Sequence, residues 1–224
     1  MLVEIKRAVY EENDKLASSI NAELRARGVF TVNILGSPGA GKTSLISRLA
    51  ERLPGPLSVI EGDVASDIDT QALRERGVSA YQIETGGDCH LNAPMIRAVL
   101  GKFSVPDGAW LFIENIGNLI CPAEFVVGED FKLVVSSAAE GHDKPWKYPT
   151  IFARSALCVL TKLDIAEAIG FDEATFRRAI EDVAPGLPVL ALNGKTGAGV
   201  EAITAWLREA RRAAEATARA GQAV

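Results

Sequence analysis

The run Gly36-Ser37-Pro38-Gly39-Ala40-Gly41-Lys42-Thr43 constrains this chain more than any other feature. It fills every fixed position of a G-x-x-x-x-G-K-[ST] phosphate loop. Before it, Phe30–Leu35 reads as a short buried strand; after it, Leu45, Ile46, Leu49 and Leu53 recur at helical spacing. Glycines let the backbone wrap a polyphosphate with successive N–H groups pointing inward, and the following helix adds partial positive charge at its N-terminus. Lys42 then reaches the β- and γ-phosphates, and the Thr43 hydroxyl, with Ser44 behind it, meets the magnesium side of the nucleotide. A glycine-rich turn that binds nothing gives no reason for Lys42 and Thr43 to stand in this register. The sequence therefore predicts a site for a nucleoside triphosphate and Mg²⁺.

The rest of the chain alternates strand and helix patterns. Short apolar runs at Leu57–Glu61, Ala80–Ile83, Ala109–Ile113, Phe131–Val135, Ala156–Leu160 and Pro188–Leu192 read as strands, several dense enough to be buried on both faces. Between and around them, helices are expected over Val9–Arg27, Asp67–Arg76, Ala93–Leu100, Asp172–Val183 and from Val200 to about Ala218, with Asn92 as a cap and Pro94 in a first turn. Such alternation implies an α/β fold: one phosphate-loop domain with a mostly parallel central sheet and helices on both faces. Ligand loops then gather at the carboxyl ends of the strands. The expected organisation is an N-terminal helix over 1–28 packed on or next to the domain, the nucleotide domain over 29–220 with a metal site embedded in it, and a frayed tail at 221–224.

Composition narrows the class. A chain of 224 residues with net charge −5 is long enough to bury a core and has the wrong sign for a nucleic-acid binder. No apolar run approaches the roughly 20 residues needed to span a bilayer, and the first residues lack a signal-peptide pattern. Three cysteines, Cys89, Cys121 and Cys158, have no framework spacing, which points to free thiols and a cytoplasmic setting.

Thr161-Lys162-Leu163-Asp164, after a hydrophobic strand, has the pattern [NT]-K-x-D. An aspartate there accepts two hydrogen bonds from guanine, at N1–H and the exocyclic amine, which adenine cannot supply. The Lys162 stem is expected over the base plane, and Asn193-Gly194-Lys195-Thr196-Gly197 follows the last strand as a second base-edge loop. GTP is thus expected over ATP, an ATP-dependent small-molecule kinase being the rival class.

Cys89-His90 and Cys121 form a second constellation. Two thiolates and an imidazole suit Zn²⁺ or Ni²⁺ and not hard, oxygen-seeking ions. Three ligands leave a position for water, another subunit or transfer of the metal. The alternative is a GTPase switch in which these cysteines are structural; Cys158, inside a strand, reads as core in either case.

With those residues in view, Gly36–Thr43, Glu61-Gly62-Asp63, Thr85-Gly86-Gly87-Asp88-Cys89-His90-Leu91, Glu114-Asn115-Ile116-Gly117-Asn118-Leu119-Ile120-Cys121-Pro122, Glu140-Gly141-His142-Asp143-Lys144-Pro145 and Lys147-Tyr148-Pro149 together resemble the HypB family, nickel-inserting GTPases of the SIMIBI class, along nearly the whole chain. The resemblance implies a GTP-dependent homodimer that delivers nickel to the hydrogenase large-subunit precursor with a HypA-type nickel chaperone. It also implies a metal site at Cys89, His90 and Cys121. Asp63 and Glu114 are implied near Mg²⁺ and the attacking water, alongside Lys42. The urease GTPases (UreG) match less well, since their C-P-H element is absent. Two departures stand out: Asp88 replaces the usual glycine before Cys-His, and Asn92 the usual aspartate after Leu91. With only two histidines, the chain has no histidine-rich storage tract, and a paralogue serving another metalloenzyme is the alternative reading.

Overall fold

The computed structural model describes residues 2–63, 68–75 and 77–222, with side chains described throughout these except at 2–8, 63, 68–70, 72 and 218–222. Its strands are β1 (Phe30–Leu35), β2 (Leu57–Asp63), β3 (Ser79–Glu84), β4 (Trp110–Glu114), β5 (Phe131–Ser137), β6 (Leu157–Thr161) and β7 (Val189–Leu192). The helices are α1 (Leu2–Ala26), α2 (Lys42–Ala50), α3 (Ile68–Glu75), α4 (Ala93–Leu100), α5 (Cys121–Glu124), α6 (Lys144–Lys147), α7 (Pro149–Ala153), α8 (Glu173–Val183) and α9 (Val200–Gln222). The strands form one seven-stranded sheet in the order β3-β2-β4-β1-β5-β6-β7. Every pairing is parallel.

The sheet is covered on both faces because the strands are apolar at successive positions, not alternate ones. In β1, Phe30, Val32 and Ile34 point to the face that receives Leu45, Ile46 and Leu49 of α2 and Ile203 and Leu207 of α9. On the opposite face, Leu111 and Ile113 of β4 meet Ala17, Ile20 and Leu24 of α1 and Ile96 and Val99 of α4. Farther along that face, Leu35, Val134, Cys158 and Leu160 pack against Phe152, Phe176 and Ile180. Cys158 is thus a core residue, and burial pushes its thiol far above the ordinary range.

The chain runs outward from β1 to β2 and β3, returns to insert β4 beside β1, then crosses to β5 and continues outward through β6 and β7. The reversal leaves a crevice above the carboxyl ends of β1, β4 and β5, where ligands bind in doubly wound sheets. Asn92 caps α4 as expected, its Oδ1 accepting from Met95 N–H at 3.0 Å, and Asp172 caps α8. Of the helix expected over 67–76, both end residues lie outside the described residues. α1 begins earlier than the apolar pattern indicated. α9 runs through Gln222 into the segment expected to fray, and residues 223–224 of that segment lie outside the described residues.

Candidate functional site

The phosphate loop leaves β1 and enters α2, as its sequence requires. Gly41, in the position before α2, has φ 101°, a conformation that keeps the loop N–H groups turned inward and excludes most other residues. Lys42 is buried and curls back over the loop, Nζ donating to the Gly36 and Ser37 carbonyls at 3.4 and 3.2 Å. A buried ammonium set among inward-turned backbone N–H groups makes a cradle whose charge and shape suit a polyphosphate. Ser37 is fixed from outside by its hydroxyl, which donates to Glu140 at 2.7 Å. The cleft above has a volume of about 630 Å³, and Lys42, Thr43, Glu61, Glu114, Gly117 and Lys162 all line it.

Two acidic strand ends face that cleft. Glu61 and Glu114 are register partners in β2 and β4, and both are buried. Glu114 Oε1 accepts from the Thr43 hydroxyl at 3.0 Å. Thr43 and Glu114 are hard oxygen donors beside a phosphate cradle, so the donor chemistry fits Mg²⁺. Asp63 is the last residue of β2, and its side chain lies outside the described residues. Glu61 was not singled out for a role from sequence, although an acid that interrupts Ser58-Val59-Ile60 near a strand end is a signal of this kind.

At the base end, a second cavity of about 400 Å³ is lined by Ser44, Thr161, Lys162, Asp164, Asn193 and Lys195, among others. Thr161 belongs to the end of β6 and not to the loop beyond it. Its buried hydroxyl does not reach toward the base: it donates to the Ala40 carbonyl at 2.6 Å, tying the phosphate loop to the strand. Lys162 has φ 58°, the one positive φ outside glycine among the described residues, and its Nζ donates to the Gly39 carbonyl at 2.7 Å. This left-handed turn sends Asp164 to the cavity wall while Lys162 bridges base cavity and phosphate cleft. Arg48 of α2 donates to the Gly194 carbonyl at 3.0 Å, holding the second base-edge loop against the phosphate helix. Nothing in the sequence marked Arg48.

Cys89, His90 and Cys121 come together, with one ligand atom of each within 4.8 Å of the others. Cys121 opens the one-turn helix α5, which the sequence reading left as loop. Cys89 Sγ lies 3.5 Å from His90 Nδ1. The hydrogen bond with Cys121, with burial behind it, raises the Cys89 thiol above its usual value, and burial lowers the His90 imidazole. Two soft thiols and an imidazole that is neutral at physiological pH make a donor set that fits Ni²⁺ or Zn²⁺.

Residues that sequence reasoning left without a role join the two centres. Asn115, almost wholly buried, accepts from Leu91 N–H at 3.0 Å and donates to Asn33 of β1 at 3.2 Å. Asn118 pairs through its backbone with Gly36 of the phosphate loop. Its side chain donates to the Cys89 carbonyl at 3.2 Å and accepts from Ile120 N–H at 2.9 Å. A Cβ on Gly117 would lie 2.7 Å from the Pro38 backbone nitrogen, so only glycine lets this segment lie on the phosphate loop. Behind α5, the buried Lys132 donates to the Ala123 and Phe125 carbonyls at 2.8 and 2.7 Å. Burial lowers its pKa, and Glu129 at 3.9 Å opposes that. A lone Lys in the apolar run Phe131–Val135 was the available signal for this buried clamp.

Residues 30–191 match the family model described as CobW/HypB/UreG, nucleotide-binding domain. A hydrogenase maturation factor HypB from Rhizobium leguminosarum bv. viciae is 41% identical over 216 residues, covering 95% of this chain and 72% of that protein. The crystal structure of the hydrogenase maturation factor HypB from Archaeoglobus fulgidus superposes with a TM-score of 0.82 at 39% identity, over 90% of this chain and 99% of that one. The structure of HypB from Helicobacter pylori in complex with nickel gives 0.84 at 33% identity, over 91% and 97%.

Proposed function

The chain belongs to the CobW/HypB/UreG family of nucleotide-binding domains, and from that premise we propose that it is a GTP-hydrolysing metallochaperone that delivers nickel during maturation of nickel–iron hydrogenase. One observation carries the reading: a thiol–thiol–imidazole cluster within 4.8 Å takes Cys121 from the end of the segment whose start, residues 114–117, lines the phosphate cleft. A plain nucleotide switch has no use for it.

The proposed roles follow from chemistry. Gly36, Ser37, Pro38, Gly39, Ala40, Gly41, Lys42, Thr43 and Ser44 hold the triphosphate. Thr161 and Lys162 fix that loop from the base side, and Asp164 pairs with guanine. Thr43 and Asp63 hold Mg²⁺, which, when bound, neutralises charge on the transferring phosphoryl group. Lys42 adds its own charge at the bridging oxygen, and Glu114 orients the attacking water. Water forms the new bond to the γ-phosphorus as the bond to the β–γ bridging oxygen breaks, yielding GDP and phosphate. Nickel, the cargo, is held by Cys89, His90 and Cys121, with zinc as a competitor for the same donors.

Control of the metal by the nucleotide follows from the shared segment 114–121. Contacts with the γ-phosphate favour one arrangement of the Glu114 end, and Asn115 and Asn118 carry that arrangement to the Cys89–Leu91 loop. The proposed assembly is a two-fold homodimer formed across the nucleotide face when GTP is bound. A HypA-type nickel chaperone is the proposed partner and the hydrogenase large-subunit precursor the recipient.

The test is isothermal titration of the chelator-stripped chain with Ni²⁺ and Zn²⁺, with and without a non-hydrolysable GTP analogue. The reading requires tight binding that shifts with nucleotide and disappears on Cys89→Ala. Absence of binding in both states removes the nickel assignment and leaves a nucleotide switch.

A further inference from the structure

Helix α1 precedes the nucleotide domain, and none of its described side chains lines the phosphate cleft or the base cavity, yet one of its faces reaches both halves of the metal cluster. Tyr10 and Asn13 lie one turn apart on that face. Asn13 is buried, and its Oδ1 accepts from Ala93 N–H at 2.9 Å. Its Nδ2 donates to the Val126 carbonyl at 2.8 Å. Ala93 begins α4 just beyond Cys89 and His90; Val126 follows the short helix that begins at Cys121. Tyr10 works on the same pair of segments. Its hydroxyl donates to Glu124 at 2.8 Å, and its ring lies 4.8 Å from Phe125. Phe125 in turn stacks on His90 at 4.0 Å with an interplanar angle of 29°.

We propose that Tyr10 and Asn13 are positioning residues of the metal site, with α1 as its third wall. They set the separation between the Cys89–His90 loop and the Cys121 helix, and through Phe125 they set the plane of the His90 ring. A ligating imidazole is commonly oriented by a hydrogen bond to its second nitrogen; here a column of three rings restrains it. Attachment of α1 to the domain does not depend on this face. Ala17, Ile20 and Leu24 are buried in the core, and Asn21 and Arg25 hold Gly128 and Asp130 near the other end of the helix. The Tyr10–Asn13 face therefore adds order to the two ligand segments beyond what docking of the helix needs. The inference rests on the metal-binding reading above.

The experiment compares the full chain with Tyr10→Phe, Tyr10→Leu and Asn13→Ala. Nickel affinity is read by competition with a chromophoric chelator, and coordination by the thiolate-to-nickel charge-transfer band. Binding of a GTP analogue and thermal unfolding serve as controls. Tyr10→Leu and Asn13→Ala are expected to weaken nickel binding by about tenfold or more, the usual effect of losing an outer-shell support, and to shift the band. Tyr10→Phe keeps the ring column and should retain most of the affinity, while nucleotide binding stays unchanged in all three. Unaltered nickel affinity and band in Tyr10→Leu and Asn13→Ala would overturn the proposal, even with a lower Tm. If Asn13→Ala does not fold, the Tyr10 pair decides alone. A native chain that binds neither Ni²⁺ nor Zn²⁺ defeats the metal reading itself, a result distinct from native binding with unaffected variants.

Discussion

Replacing Asn118 with Ser tests the link between metal and nucleotide at one atom. In the native chain the Asn118 side chain makes two bonds, accepting from Ile120 N–H at 2.9 Å and donating to the Cys89 carbonyl at 3.2 Å. A serine hydroxyl can still accept from the N–H two residues on but is too short to reach Cys89. The substitution therefore keeps the turn into Cys121 and the backbone pairing with Gly36, and removes only the strut. The lost bond is solvent-exposed and neutral, so its net contribution is about 0.5–1 kcal/mol, equivalent to about twofold to fivefold in an equilibrium constant. That range bounds the share of metal–nucleotide coupling passing through this atom. Measuring the nickel Kd with and without a GTP analogue gives the coupling factor. Linkage requires the same factor from the nucleotide Kd with and without nickel, an internal check. The coupling in Asn118→Ser should fall by that amount while GTP affinity without metal stays at the native value. A coupling factor equal to the native one would refute the argument. Equal weakening of nickel in both nucleotide states would also refute it, because Asn118 would then build the site without relaying anything.

Three further outcomes are expected. Asp164→Asn replaces an acceptor pair with a mixed donor–acceptor amide, so GTP affinity should drop by about 100-fold or more and xanthosine nucleotides should gain; displacement of a fluorescent nucleotide reads this, and an unchanged preference for GTP would remove Asp164 from the base site. Lys132→Met strips donors from the Ala123 and Phe125 carbonyls and leaves the Glu129 carboxylate buried without its cation. The cost is about 3–5 kcal/mol, seen as a lower urea midpoint, and a variant as stable as the native chain would contradict it. Nickel must displace thiol protons, and the Cys89 thiol is raised by its bond to Cys121 and by burial, so nickel affinity should rise with pH through the neutral range. Burial holds His90 below its ordinary value, so its proton contributes less to the slope than those of the thiols. Calorimetry in buffers of different ionisation enthalpy should find proton release, and a nickel affinity that does not change with pH between about 6.5 and 8.5 would contradict the thiol ligands.

What the sequence revealed and what it hid divide along the range of the interactions. β1 and α4 fall at the expected boundaries because their signals are local: a continuous apolar run before the phosphate loop, and Asn92 with Pro94 at a helix start. Cys89, His90 and Cys121 stood out as candidate donors because few residue types suit nickel or zinc; spacing alone left them open, the resemblance singled them out, and the fold brings them together. Thr161 was legible as part of a motif but not in its direction, since a hydroxyl on a strand end can turn to the base or back to Ala40, and only the neighbouring loop decides. Asn115 and Asn118 were visible in the resemblance without a role. Their partners, Leu91, Asn33, Cys89 and Gly36, lie in other segments, and no periodicity connects them. The face of α1 at Tyr10 and Asn13 is the extreme case, because its amphipathic pattern explains docking and says nothing about the 93 and 126 backbones it joins.

The parallel sheet also explains why two such different ligands share one end of the molecule. In a parallel arrangement every strand delivers its carboxyl end to the same edge, so β1, β2, β3 and β4 bring the phosphate loop, the acids and both metal segments together without any long loop. The path from Glu114 to Cys121 is a single short segment pinned at Asn115 by buried bonds, at Gly117 by contact with Pro38, and at Asn118 by pairing with Gly36. A short segment pinned at three points responds by changing between discrete arrangements and not by stretching. Whatever rearrangement the γ-phosphate favours at Glu114 must therefore reappear at Cys121 or be absorbed by breaking one of these pins. Breaking them singly, with metal and nucleotide affinities read together, separates the pins that carry the coupling from those that only hold the loop.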